Sequence, residues 1–456
     1  MKNALLALAF FSIVVALVIP ACQPSAASYI ESGDANNASQ NYDQAIADYS
    51  RAITIDPESA VAYAGRGRAY NNKEQYDQAI TDLNKAIELD PNLYLAYFRR
   101  GNAYLGKELW DQAIADYTKA AELKPDMANA YSMRAWIYMQ QKNDYEKAIA
   151  DYSKAIGLNG TYANYYSGRG WCYQNIKQYD KALADFSQAI DLDSRTASRY
   201  LSRGLCYMNL EQYDQALADF NKAVELDNNY ADGYLFRGGC YTEMKEYDKA
   251  IADLNKAFEL KSTANMMGYY YWLSTCYDEK GDYDAAILVY TQAIGSDPQS
   301  AYYHNSRGWL YLEKGDYAKA LPDINKALEL DSTSEDSANW WDSRGWYYFK
   351  TGDITMALSD LNKALEISPN MDAADEVYCH RAQVYYSIKE YDKAIADLNK
   401  SIELDSKYAE AYFYRGLCYK ALNKPDDARA DFQAAISSST DQSIIDKATD
   451  ELESLE

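Results

Sequence analysis

Residues 60–93 read AVAYAGRGRAYNNKEQYDQAITDLNKAIELDPNL, and the same frame returns along most of the chain. Tyr70, Tyr104, Tyr173, Tyr207 and Tyr241 stand 34 residues apart, or 69 across one insertion. Around each runs Tyr-x-x-Arg-Gly-x-x-Tyr, then Tyr-Asp-x-Ala-Ile-x-Asp, then Lys-Ala-Ile-Glu-Leu-Asp-Pro. Positions within a copy are counted so that the second tyrosine of the first motif is position 11. In 60–93 the small residues Gly67, Ala79 and Ala86 let two helices approach closely, while Tyr63, Tyr70, Ile80, Leu83 and Ile87 fill the space between them. Asp77 suits the positive start of the second helix, and Pro91 ends it. A chain made of such copies grows by stacking and needs no single central core.

These motifs resemble the tetratricopeptide repeat family, whose unit is a helix–turn–helix of about 34 residues. The resemblance runs from Ala26 to about Thr440. Twelve repeats follow, at 26–59, 60–93, 94–127, 128–162, 163–196, 197–230, 231–266, 267–300, 301–337, 338–374, 375–408 and 409–442. The solenoid proper is set at 29–442, after a spacer at 22–28, and residues 443–456 read as a polar-faced capping helix. The fold class implied is all-α, a right-handed superhelical solenoid. Repeats seven, nine and ten carry spare residues near Ser262-Thr263, Ser332 to Ser337 and Asn370 to Ala374, which predict longer turns there.

The 456 residues include 45 Lys plus Arg and 68 Asp plus Glu, a formal net charge of -23. So acidic a chain repels phosphate backbones, which excludes nucleic acid as the main partner. The first residues form a separate segment. Lys2 precedes an apolar run from Ala4 to Ile19, short for a membrane span but suited to a secretory signal. The junction Ile19-Pro20-Ala21-Cys22 resembles a bacterial lipoprotein signal. It implies a signal peptide over 1–21, lipid on Cys22 and anchoring to the outer face of a bacterial membrane. Pro20 is unusual in that box; ordinary signal cleavage, which would leave the protein secreted or periplasmic, and an uncleaved anchor are the alternatives.

Arginine at position 7 recurs with aspartate at position 23, as in Arg203/Asp219 and Arg237/Asp253. A folded-back hairpin brings the two to one level, where they can form a desolvated bidentate clasp. In repeat eight both are replaced together, by Leu273 and Val289, which avoids an unpaired buried charge. Five of the other cysteines, Cys172, Cys206, Cys240, Cys276 and Cys418, fall at position 10, an apolar core slot. Stacked helices hold such slots about 8–10 Å apart, beyond the roughly 7 Å a disulfide spans. Free buried thiols are therefore expected, including Cys379. His304 and His380 are the only histidines. No zinc spacing, histidine-assisted nucleophile or phosphate loop can be assembled, so no catalytic residue, metal site or cofactor is assigned.

In this family positions 2, 5, 9, 12 and 13 of the first helix, helix A, line a concave groove. Here Trp136, Trp171, Trp309 and Trp346 occupy position 9, and Asn129, Asn164, Asn175 and Asn209 fall in groove slots. Aromatics and amides suit extended peptide or sugar chains; packing between neighbouring helices is the competing account of the tryptophans. From repeat seven onward the slots turn acidic, with Asp278, Glu279, Glu313, Asp342 and Glu376 among them. The resemblance thus implies a non-enzymatic scaffold, membrane-tethered, binding extended protein segments whose basic residues face the acidic half. A glycan-binding envelope protein is the alternative.

Overall fold

The computed structural model describes residues 25–261, 266–370 and 374–455, which form helices and turns without strands. Cys22 and the apolar run lie outside these residues, as do Ser262 and Thr263. The described residues divide into two compact bodies, one ending at Asp227 and the other beginning at Asn228. The first carries α1 (Ala26–Ala38) to α12 (Tyr213–Leu226), the second α13 (Ala231–Glu243) to α25 (Gln442–Glu453). Helices alternate as A and B, each pair packed as an antiparallel hairpin. Ala26 to Ser28, assigned to the spacer as well as to the first repeat, are the first turn of α1, because the Ser25 hydroxyl accepts a hydrogen bond from the Ser28 amide. Among the described residues, no helix is long and apolar enough to cross a membrane.

Close approach of A and B explains the small residues. Ala45, Ala79, Ala113, Ala148, Ala182 and Ala216, all at position 20 of the first body, are 0% exposed. One turn along the same face of helix B, position 24 carries the large buried side chain of each hairpin, such as Leu83 or Phe220. A Cβ at Gly204 would lie 2.6 Å from the Phe220 ring, so that ring fills the volume glycine leaves. Burying one such side chain contributes on the order of 2 kcal/mol.

The turn from A to B places position 15 in the left-handed region. Glycine stands there at Gly281, Gly315 and Gly352, but Glu74, Glu108, Lys177, Glu211, Lys245 and Lys389 adopt φ between 57° and 64°. Each strained turn is closed by backbone hydrogen bonds, as from the Gln212 amide to the Tyr207 carbonyl, 2.9 Å. Helix A of repeat four, α7 (Ala128–Gln141), absorbs the one-residue insertion and ends in a turn with Asn143 at φ 50°. The B-to-A turn at 331–336 is longer than its counterpart at 90–93. The Thr333 and Ser334 amides of this turn donate to Asp331, and Ser337, the first residue of the next helix, donates its hydroxyl to the Ser334 carbonyl.

The clasp has three arms. Arg203 Nε and Nη2 donate to the two Asp219 carboxylate oxygens, both at 2.7 Å. Its remaining nitrogen, Nη1, donates to Ser187 Oγ on helix B of the preceding repeat, 3.1 Å. Arg237 and Asp253 form the same bidentate pair at 2.6 and 2.8 Å. The third arm recurs to Ser50, Asn84, Thr118 and Ser153 in the first body, and to Thr291, Asn325, Asn362 and Asn399 in the second. Nine of these guanidiniums also lie over a position-4 aromatic ring, 5.9 Å from the Tyr200 centroid for Arg203, while Arg307 has His304 at that position. In repeat one Ser32 and Asn36 hold Asp48 instead, at 2.7 and 2.9 Å. Leu273 and Val289 are buried, at 4% and 5% exposure. At the C-terminal end α25 turns Ala448 and Leu452 onto Phe432 and Ala435.

Arg203→Leu should therefore destabilise α11 (Ala197–Asn209) and α12 by roughly 3–5 kcal/mol, since it strands Asp219. Arg203→Leu with Asp219→Val should recover much of that loss. Ser187→Ala alone should cost about 1 kcal/mol. Site-resolved hydrogen exchange reads these effects better than a global melt in a repeat array; equal damage from the single and double changes would remove the clasp from the account.

Candidate functional site

The helix A faces of the first body hold an apolar cavity of about 640 Å³. Trp136, Phe98, Met133 and Tyr165 line it, with Asn129 and Asn164 at its edge. Trp136 is 37% exposed and meets Trp110 with ring centroids 6.4 Å apart. The amides are held by their carbonyl oxygens. Tyr165 donates its hydroxyl to Asn129 Oδ1 at 2.7 Å, and Arg199 Nη2 donates to Asn164 Oδ1 at 3.0 Å. Their Nδ2 groups are thus left as donors.

Trp171, Asn175 and Asn209 do not join this cavity. Trp171 is 43% exposed on the surface. Asn175 and Asn209 donate to carbonyls of their own helices, at 2.8 and 2.7 Å, and serve those helix ends. Next to the cavity sits a second one of about 320 Å³, which the groove-slot reading passed over. Arg68, at position 9, and Arg99 line it with Asn71, Asn72, Asn102 and Asn129. Neither arginine has an ion pair or side-chain hydrogen bond among the described residues. Burial first, and then the Arg68 charge, push Arg99 below its ordinary value. Tyr117 donates to Asn102 Oδ1 at 2.8 Å, so Asn102 too presents Nδ2. This wall offers donors for an anionic group beside apolar surface. An arginine at position 9 carried the signal in the sequence.

In the second body the acidic slots separate. Asp278, Asp342 and Glu376 line one cavity of about 260 Å³ with Trp309. Glu279 lies outside it, accepting the Tyr247 hydroxyl at 3.2 Å, and Glu313 is exposed at the end of its helix A, Ala301–Glu313. Trp346 is 7% exposed and stacks on His380, centroids 4.3 Å apart. It is a packing residue, because a histidine occupies the space over its face. His380 Nδ1 lies 3.0 Å from Asp342 Oδ1, both side chains buried. Burial lowers the His380 value, but Asp342, then Glu376 and Glu410, outweigh it and leave it raised. Loss of water, then the charges of Glu279 and Glu313, raise Asp278.

The six described cysteines are free and buried. Burial pushes the Cys206 and Cys418 thiols up to about 12, which leaves them un-ionised and inert at neutral pH. Among the described residues no group of His, Cys, Asp and Glu is placed to hold a metal ion.

Models described as TPR repeat match residues 33–73, 67–108 and 382–423, and models described as tetratricopeptide repeat match 98–163, 163–195, 197–230, 241–301, 275–337, 305–372 and 409–439. No curated protein matches the sequence. Among solved structures, YrrB, described as a TPR protein with an unusual peptide-binding site, is 23% identical with TM-score 0.37, over 40% of this chain and 93% of its own. The Cut9–Hcn1 hetero-tetramer of APC/C is 14% identical with TM-score 0.48, over 95% and 96%. A tetratricopeptide repeat protein from Parabacteroides merdae is 18% identical with TM-score 0.46, over 55% and 96%.

The raised His380 value fixes a sign. The Asp342–His380 pair stabilises the second body fully below about pH 6.5, the free imidazole value, and that contribution fades as pH rises through the higher folded-state value. His380→Gln should flatten this part of the pH–stability profile. Exchange rates in α19 (Ser337–Thr351) and α21 (Ala374–Ser387), measured from pH 6 to 9 for both proteins, test it; parallel profiles would show the histidine unprotonated throughout.

Proposed function

Since the chain belongs to the tetratricopeptide repeat family, we propose that it is a non-enzymatic scaffold that binds extended protein segments on the helix A faces of its repeats. The observation that carries this reading is the apolar cavity around Trp136, bordered by amide and guanidinium donors. A half-exposed tryptophan in such a cavity gives a side chain a place to anchor. The donors at Asn129, Arg68 and Arg99 match backbone carbonyls or acidic groups of the segment. In the second body the acidic cavity favours basic residues. Tethering by lipid on Cys22 belongs to the same proposal, supported by Lys2, the apolar run and the Ile19-Pro20-Ala21-Cys22 junction.

An array of 12-residue peptides probed with the full chain tests the binding. Trp136→Ala should weaken the selected peptides that engage the first body by at least tenfold, mostly by faster dissociation. Trp171→Ala, outside the cavity, should change little. If Trp136→Ala binds every peptide as well as wild type, the convex helix B faces become the place to look. For the tether, Cys22→Ala in a bacterial host should abolish incorporation of labelled fatty acid and release the protein from membranes, since each buried CH₂ contributes about 0.8 kcal/mol to anchoring. A wild-type protein that takes up no label is not lipidated.

A further inference from the structure

The acidic cavity of the second body is more than a stretch of charged wall. Apart from Tyr290 of α16 (Tyr283–Ser296), its lining comes from the helix A faces of four successive repeats: α15 (Met266–Glu279), α17 (Ala301–Glu313), α19 and α21. Three carboxylates reach it, and they differ in state. Asp342 is matched by His380 behind it, at 3.0 Å. Asp278 and Glu376 form no salt bridge among the described residues, although the His380 charge also acts on Glu376. The same lining includes Asn305, 7% exposed, whose Oδ1 receives no hydrogen bond. A buried acceptor left unpaired is costly and calls for a donor. Trp309 and Tyr302 complete the wall with aromatic surface.

A ligand that satisfies this lining must bring N–H donors, positive charge and a carbon stem. Acceptors alone would leave Asn305 unpaired, and an anion would be repelled by Asp278 and Glu376. A metal ion is not served, because the carboxylates are not grouped as ligands. A basic side chain meets each demand: its cation faces Asp278 and Glu376, its N–H reaches Asn305, and its methylenes lie along Trp309 and Tyr302. We infer that this cavity is a specificity pocket for one lysine or arginine side chain of a bound protein segment. The inference rests on the reading that helix A faces bind such segments, and it adds where on the face charge is read and by which residues.

The pocket is tested with the full chain and the peptides it selects from the array. Those that engage the second body should carry a basic residue at one fixed register. Replacing it by norleucine, or acetylating it when it is lysine, should weaken binding to the wild-type chain at least tenfold, which requires no protein variant. Asp278→Asn with Glu376→Gln, isosteric changes that keep the helices, should produce a similar loss and erase the preference for the basic residue over norleucine. Asn305→Leu should reduce the same preference. Peptides selected without a basic residue, or a preference unmoved in the double variant, would overturn the pocket while leaving segment binding intact. If the chain selects no peptide at all, the scaffold reading itself fails.

Discussion

Everything in the fold hangs on a guanidinium with three partners. Two of its nitrogens grip an aspartate on helix B of its own repeat, and the third reaches helix B of the repeat before. One side chain thereby fixes both the hairpin and its stacking on the neighbour. The layer around it is built from alanine, glycine and rings, which pack well in several registers. A bidentate pair with fixed geometry admits one register. In repeat one, where Ser32 stands at position 7, that serine and Asn36 hold Asp48 in place of arginine. Repeat eight loses the pair together and fills the space with leucine and valine, so neither charge is stranded.

Because packing between A and B is settled by small residues and by the clasp, the other face of helix A is released from structural duty. Many of its residues differ from repeat to repeat. The first body presents apolar surface with unmatched donors, and the second presents carboxylates with an unmatched acceptor. The two chemistries sit on the same scaffold because the clasp at positions 7 and 23 and the close contacts at positions 8, 20 and 27 leave most residues at positions 2, 9 and 12 free to differ. Where a groove residue is drawn into packing, as Trp346 is against His380, it stops being available to a ligand.

Repetition is what made the fold legible. Gly67, Ala79, Ala86 and the aromatic positions return at a fixed period, so a single hairpin interpreted physically stands for its copies. The pairing of position 7 with position 23 follows from the same register, and so does the burial of the thiols. The left-handed turn residue was legible only where glycine marks it, at Gly281, Gly315 and Gly352. Elsewhere glutamate, lysine, glutamine or asparagine takes that conformation, because hydrogen bonds across the turn and packing of both helices hold it there.

The sequence by itself determined the repeat, its two helices, the clasp pair and the acidic character of the later helix A slots, since each depends on spacing along one hairpin. Only the tertiary structure decided which slots share a cavity. Trp136 and Trp171 occupy the same position of adjacent repeats, yet only Trp136 lines the apolar cavity. Glu279 and Asp278 are neighbours, yet only Asp278 reaches the acidic one. Neither the third arm to Ser187 nor the unpaired Arg68 and Arg99 is visible in spacing, because each depends on what a neighbouring repeat brings alongside. Periodicity reports contacts within a repeat, and a binding site is made of contacts between repeats whose side chains differ.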